Sequence, residues 1–136
     1  MLPPTLSRAF GLITLLYTLL ATCCTGLSLP GLAAGADPDL NQRDLAILVL
    51  CGVSYVCGLI PAAAGLHGNE YARVTHLAWA GGVLLAESAS EVSYFFSQDI
   101  ATFLVTSVVS IPLFCTWPAI CLVVLPFVRS PRPEAA

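Results

Sequence analysis

The stretch "LAILVLCGVSYVCGLIPAAAGL", residues 45–66, runs for 22 residues without a charged side chain. About 20 mostly apolar helical residues cover the roughly 30 Å of a bilayer's hydrocarbon core. This segment therefore reads as a membrane helix, and the rest of the chain has the same character. Of 136 residues, 57% are hydrophobic and only 10% are charged, and the mean hydropathy is +0.87. Soluble domains are nearer half apolar and a quarter charged.

Working outward, three more apolar segments appear. "AFGLITLLYTLLATCCTGLSL" covers residues 9–29, a third segment runs from about 74 to 96, and the last, 100–128, carries Pro112 and Pro118 as kink positions. The alternating pattern of membrane β-strands is absent. The expected fold class is an all-α membrane protein. It has one domain, residues 1–136, built as an antiparallel bundle of four transmembrane helices in a lipid bilayer. A signal peptide is the rival reading for the first segment, with "GLAAGA" as its small-residue site. The apolar run of 21 residues exceeds a signal core of about 7–15, so a retained helix is expected.

Charge sets the orientation. The chain has no lysine, and its five basic residues are arginines, which leaves no basic surface for nucleic acid. Arg8, Arg73, Arg129 and Arg132 fall on one side of a four-span layout. Arg43 falls on the other, with Asp37, Asp39, Asp44 and Asp99. Arginine-rich ends stay in the cytoplasm, so both termini are expected there. Residues 30–44 form the longest loop, "HGNEYAR" at 67–73 joins spans two and three, and "SQD" at 97–99 makes a tight turn.

Few residues suggest chemistry. All six cysteines lie inside the spans without a C-x-x-C pair or metal-spaced histidines, and read as small apolar side chains. His67 and Glu70 flank a Gly-Asn turn, and His76 is expected at the membrane interface. No phosphate loop, nucleophile elbow or ligand cluster is present. No catalytic residue, metal or cofactor is expected. Ala78, Gly82, Ala86 and Ser90 recur every fourth residue along span three, a ladder expected to pack closely against a neighbouring helix.

Glu87 and Glu91 break the apolar pattern. Counted from Arg73 at 1.5 Å per residue, they lie about 21 and 27 Å into the span. Glu91 is then expected near the far interface, without a special partner, and Glu87 deeper. A carboxylate at Glu87's depth must face protein, and Arg43, Thr22, Thr25, Ser54, Thr102 and Thr106 are its candidate partners. It reads either as interhelical glue or as a proton- or cation-linked site. The latter would make the chain a small transporter or channel subunit.

The layout as a whole resembles the transmembrane protein 107 family of the ciliary transition zone. The resemblance rests on "LSRAFGLITLL", on "DPDLNQRDLAILV" entering span two, on "AGLHG" closing it, on "YFFSQD" at the last turn and on "FCTWPAI" in span four. It implies a non-enzymatic membrane protein at the ciliary base that helps to assemble cilia and control ciliary membrane composition. Its partners would be other transition-zone membrane and scaffold proteins. Asp39, Asn41, Arg43 and Asp44 match the family's polar loop and would contact partners. An accessory subunit of another membrane complex is a further alternative.

Overall fold

A computed structural model describes residues 2–33, 42–97 and 100–128, and every element among them is helical. Helix α1 spans Pro4–Ala33, α2 Gln42–Val56, α3 Leu59–Leu66, α4 Ala72–Ser97, α5 Ile100–Ser110 and α6 Thr116–Val124. A π-helical turn, Ile111–Cys115, joins α5 to α6, and a 3₁₀ turn, Leu125–Phe127, ends the last rod. With α2–α3 and α5–α6 each counted as one interrupted rod, four rods pack together. The first lies on α3 and α2, and α4 packs against α2, α3 and α6 and more lightly against α5.

Proline explains both interruptions. Pro61 carries no N–H and clashes with the carbonyl four residues back, that of Cys57. The chain tightens there. Gly58 N–H turns to the Tyr55 carbonyl at 2.8 Å, and Ile60 N–H supplies the Cys57 carbonyl at 3.1 Å. In the last rod the π-helical turn begins beside Pro112, the kink position read from the sequence.

The turn between α3 and α4 has local causes. His67 caps α3, and Gly68 follows at φ +66°, the left-handed conformation that glycine adopts without strain. Asn69 N–H reaches the Ala64 carbonyl at 2.9 Å and Gly68 N–H the Gly65 carbonyl at 3.0 Å, the paired bonds of a Schellman motif. Across the turn Arg73 donates to the carbonyls of Pro126 at 2.7 Å and Val128 at 3.3 Å. Those carbonyls lie at the chain's last helical end, which offers no intrahelical donors.

Close backbone approach holds α1 to α3. A β-carbon added at Gly11 would fall 2.6 Å from the Leu66 nitrogen, and one at Gly65 would fall 2.7 Å from the Gly11 α-carbon. Ser7 seals the crossing by donating its hydroxyl to the Gly65 carbonyl at 3.0 Å. The enclosed face of α1 is Ser7, Phe10, Thr14, Tyr17, Thr18 and Ala21, whereas Leu12, Leu16, Leu19 and Leu20 point outward. Small, polar and aromatic groups are inside, and large aliphatic ones are outside.

Among the described residues, three segments are long and apolar enough to cross a membrane: Pro4–Leu27, Leu45–Leu66 and Phe103–Phe127. Helix α4 is not among them, since Glu87, Glu91, His76 and its serines lower its apolar character. Arg43 and Asp44, read as loop residues, belong to the first turn of α2. Asp39 and Asn41 lie outside the described residues, as do Gln98 and Asp99 of the tight turn.

Candidate functional site

The polar centre of the bundle forms where α4 meets α2 and α5. Glu87 is 6% exposed, among the most enclosed polar side chains. Tyr55 of α2 donates its hydroxyl to Glu87 Oε1. One turn earlier on α2, Cys51 Sγ lies 3.7 Å from the Ala86 carbonyl as a weak donor. Of the candidate partners read from the sequence, two bond within their own helices. Thr25 Oγ1 bonds the Ala21 carbonyl at 2.9 Å and Ser54 Oγ the Leu50 carbonyl at 2.8 Å, while Thr22 Oγ1 has no partner among the described residues. The side chains of Arg43, Thr102 and Thr106 lie outside the described set.

Glu91 corrects an expectation. It was expected to have no special partner but is clamped by α5. Ser107 donates to Oε2 at 2.5 Å and Ser110 to Oε1 at 2.6 Å. The serines are three apart and so share one helix face. A signal for this pair was present in the sequence. The turn read at 97–99 makes α4 and α5 antiparallel neighbours, so residues near 91 are expected to meet residues near 105. Phe95 and Phe103 lie edge to face at 5.3 Å. Replacing Glu91 with leucine is therefore expected to loosen α5. Double-mutant cycles against Ser107→Ala or Ser110→Ala should each give about 0.6 kcal/mol, the average for polar contacts between membrane helices. Coupling energies of zero, measured by unfolding in detergent, would mean that the clamp is not formed.

An aromatic cluster sits over Glu87, and the sequence reading missed it. Tyr55 stacks on Phe114 at 5.6 Å and meets Tyr17 edge-on at 6.2 Å, while Tyr17 meets Trp79 at 5.5 Å. These rings also repair the two broken rods. Pro118 cannot donate to the carbonyl of Phe114, four residues before it. Tyr17 supplies the missing donor, its hydroxyl 2.5 Å from that oxygen. At the other break Gly58 N–H has moved to Tyr55, which leaves the Ser54 carbonyl without its helical partner. Trp79 Nε1 donates there at 2.9 Å. Trp117 Nε1 donates to Thr14 Oγ1 at 3.0 Å, so α1 is joined to α6 as well. Pro118 and Pro61 were the available signals, because a freed carbonyl inside an apolar bundle requires a donor.

This relation yields a rescue prediction. Tyr17→Phe should destabilise the bundle by about 1–3 kcal/mol, because the Phe114 carbonyl is left buried and unpaired. Pro118→Ala restores a backbone N–H at the right position, so the double variant should recover part of that loss. Equal stability of the single and double variants would show that the hydroxyl does not serve this carbonyl.

The small-residue ladder of α4 needs correction. Ala86 is buried and Ser90 partly so, but Ala78 and Gly82 are exposed, and a β-carbon at Gly82 would touch nothing within 4 Å. A four-residue step advances about 40° past a full turn, so four such positions cannot share one interface on a straight helix. The enclosed face is Ala72, His76, Trp79, Ala80, Val83 and Glu87. His76 is thus fully enclosed by protein. Its Nδ1 lies 2.6 Å from the Ala72 carbonyl, Phe10 meets its ring edge-on, and Nε2 has no partner among the described residues. His67 and Glu70 stay in the α3–α4 turn.

No disulfide joins any of the six cysteines, and among the described residues no three His, Cys, Asp or Glu side chains are grouped to hold a metal ion. Each oxygen of Glu91 accepts a hydroxyl from α5, and Glu87 accepts one from α2. The arrangement joins helices. Compared with protein-family models, curated proteins and solved structures, the chain matches none of them.

Proposed function

We propose that the chain is a non-enzymatic integral membrane protein that organises a membrane complex. One observation carries this reading: Glu87, Glu91, Tyr17, Trp79 and Trp117 spend their polar groups on bonds between helices, while the outer face is aliphatic. Leu16, Leu85, Val105, Val108 and Phe127 are among many large apolar side chains that point outward. Apolar patches larger than a few hundred Å² are rare on soluble monomers, and lipid is the solvent that suits this one. On this reading α4, flanked by the three apolar rods, crosses the bilayer with them, and the arginine distribution favours cytosolic termini.

The cellular setting we propose is the ciliary transition zone, alongside other membrane and scaffold proteins there. It rests on the layout shared with the transmembrane protein 107 family. A C-terminally tagged copy at native expression in a ciliated cell is expected to form a ring or paired spots at the ciliary base. Uniform plasma-membrane or mitochondrial labelling would sink the ciliary assignment. Impermeant labels should reach a tag in residues 30–44 from the non-cytosolic side and miss tags at either terminus.

A second reading, a small transporter or channel subunit, is favoured by a specific feature. Two interrupted helices converge beside a buried acid, the arrangement from which many transporters build a midplane site. Here aromatic donors already occupy the freed carbonyls of Ser54 and Phe114, which favours the assembly role. Purified protein in liposomes should show no pH- or ion-dependent flux if assembly is the role.

A further inference from the structure

The last rod is held unevenly along its length. Its second half is fixed to the bundle. Tyr17 of α1 bonds the Phe114 carbonyl at 2.5 Å, Trp117 bonds Thr14 at 3.0 Å, and Arg73 of α4 holds the Pro126 carbonyl at 2.7 Å. Pro118, Cys121 and Leu125 are buried there. In the first half, α5, Ser107 is the one buried side chain among those described, and Ile100, Val105 and Val108 point outward. The ties described for α5 run to α4, from Ser107 and Ser110 to Glu91 and from Phe103 to Phe95. The π-helical turn Ile111–Cys115 divides the two halves.

We propose that α5 is a two-position element that rolls about its own axis at this turn, with Glu91 as the latch that holds it where it lies. The inference goes beyond the assembly role, which requires no movement. A π turn holds one residue more than the α turn it replaces. Tightening it would roll α5 against α6 by one helical step, about 100°. Phe103, Ser107 and Ser110 stand at successive spacings of four and three, on one face of α5, so a roll takes all three off α4 together. Two features hold the present position. In a regular helix the Val108 carbonyl would look to residue 112, a proline without an N–H, whereas the π pattern looks one residue further, to Leu113. Glu91 adds its two hydroxyl bonds from the side. Ile111 and Leu113 are exposed, so the outer side of the turn has no packed core to rearrange.

The test places para-trifluoromethylphenylalanine at Phe103 of the full-length protein in phosphatidylcholine nanodiscs and reads its fluorine NMR resonance. A second sample carries the probe at Phe127, in the fixed half. With the latch intact, the Phe103 probe beside the Phe95 ring should give one dominant resonance. Glu91→Ala should raise a second resonance roughly eightfold relative to the first, the effect of losing two contacts at ~0.6 kcal/mol each. Ser107→Ala combined with Ser110→Ala cuts the latch from the α5 side and should raise the same resonance. Pro112→Ala returns an N–H to the α register with the latch untouched, and should raise it too. The Phe127 probe should respond to none of them. A Phe103 resonance that no variant splits, or that Pro112→Ala leaves unsplit, would overturn the roll. Equal responses at Phe103 and Phe127 would mean that the rod moves as one body, which overturns it as well.

Discussion

Gly65→Leu is expected to be among the most damaging single substitutions in this chain, separating α1 from the α2–α3 rod. The added atoms would enter space now occupied by main chain: Gly65's β-carbon position lies 2.7 Å from the Gly11 α-carbon and 2.8 Å from the Ser7 carbonyl oxygen. Side chains can rotate away from an intruder, but two packed backbones must move apart as rigid rods. Overpacking a core costs about 1–3 kcal/mol where neighbours yield, so a value at or above the top of that range is expected. The Ser7 bond to the Gly65 carbonyl would be lost in the same movement. Gly82→Leu is the control. Gly82 also lies in a helix, but nothing lies within 4 Å of its β-carbon position, so its stability should be near wild type. Unfolding in mild detergent with increasing dodecyl sulfate measures both. Equal midpoints for the two variants would show that the Gly11–Gly65 approach does not organise the bundle.

At the bundle centre, the second large effect is expected from Tyr55→Phe. This variant keeps the ring that stacks on Phe114 and removes only the hydroxyl that serves Glu87. A buried acceptor stripped of its donor costs about 1–3 kcal/mol, more for a charged group. Glu87→Leu removes the acceptor instead, and should weaken helix association by about 1–2 kcal/mol. Because each substitution strands the other partner, the double variant should lose less than the sum, with a coupling of about 0.5–3 kcal/mol. Additive losses would mean that the Tyr55–Glu87 contact carries no energy. Glu87→Gln separates the functional readings. Its amide oxygen still accepts from Tyr55, so folding, assembly and localisation should persist. Intact assembly with abolished flux would overturn the assembly role, because only a coupled site needs an ionisable group there.

Much of the fold was legible because membrane helices are specified locally. Runs such as residues 45–66 show their helical character by length and apolarity alone, and "HGNE" announces its turn through a glycine that takes positive φ. The need for Glu87 to face protein was also legible, since a carboxylate cannot be left in hydrocarbon. Its partner was not. Tyr55 adjoins Ser54, which was weighed as a partner, and one helical step turns the side chain by about 100°. Choosing between them requires the rotation of α2 about its own axis. The same limit explains the ladder of α4, where spacing implied a shared face but the helix's rotation left Ala78 and Gly82 outside.

By itself, then, the sequence determined the helical character of the described segments, their approximate bounds, one proline-kinked rod and the burial of Glu87. These follow from composition and backbone chemistry over neighbouring residues. Tertiary structure alone decided that Tyr17 and Trp79 would supply the carbonyls freed near Pro118 and Pro61. It also decided that Gly11 and Gly65 would meet backbone to backbone, and that Glu91 would be held by two serines of α5. Those contacts join residues 16 to 97 positions apart. They depend on how each rod is rotated and slid against its neighbours, and in an apolar bundle that choice is made by small residues and by the need to pair every buried polar group.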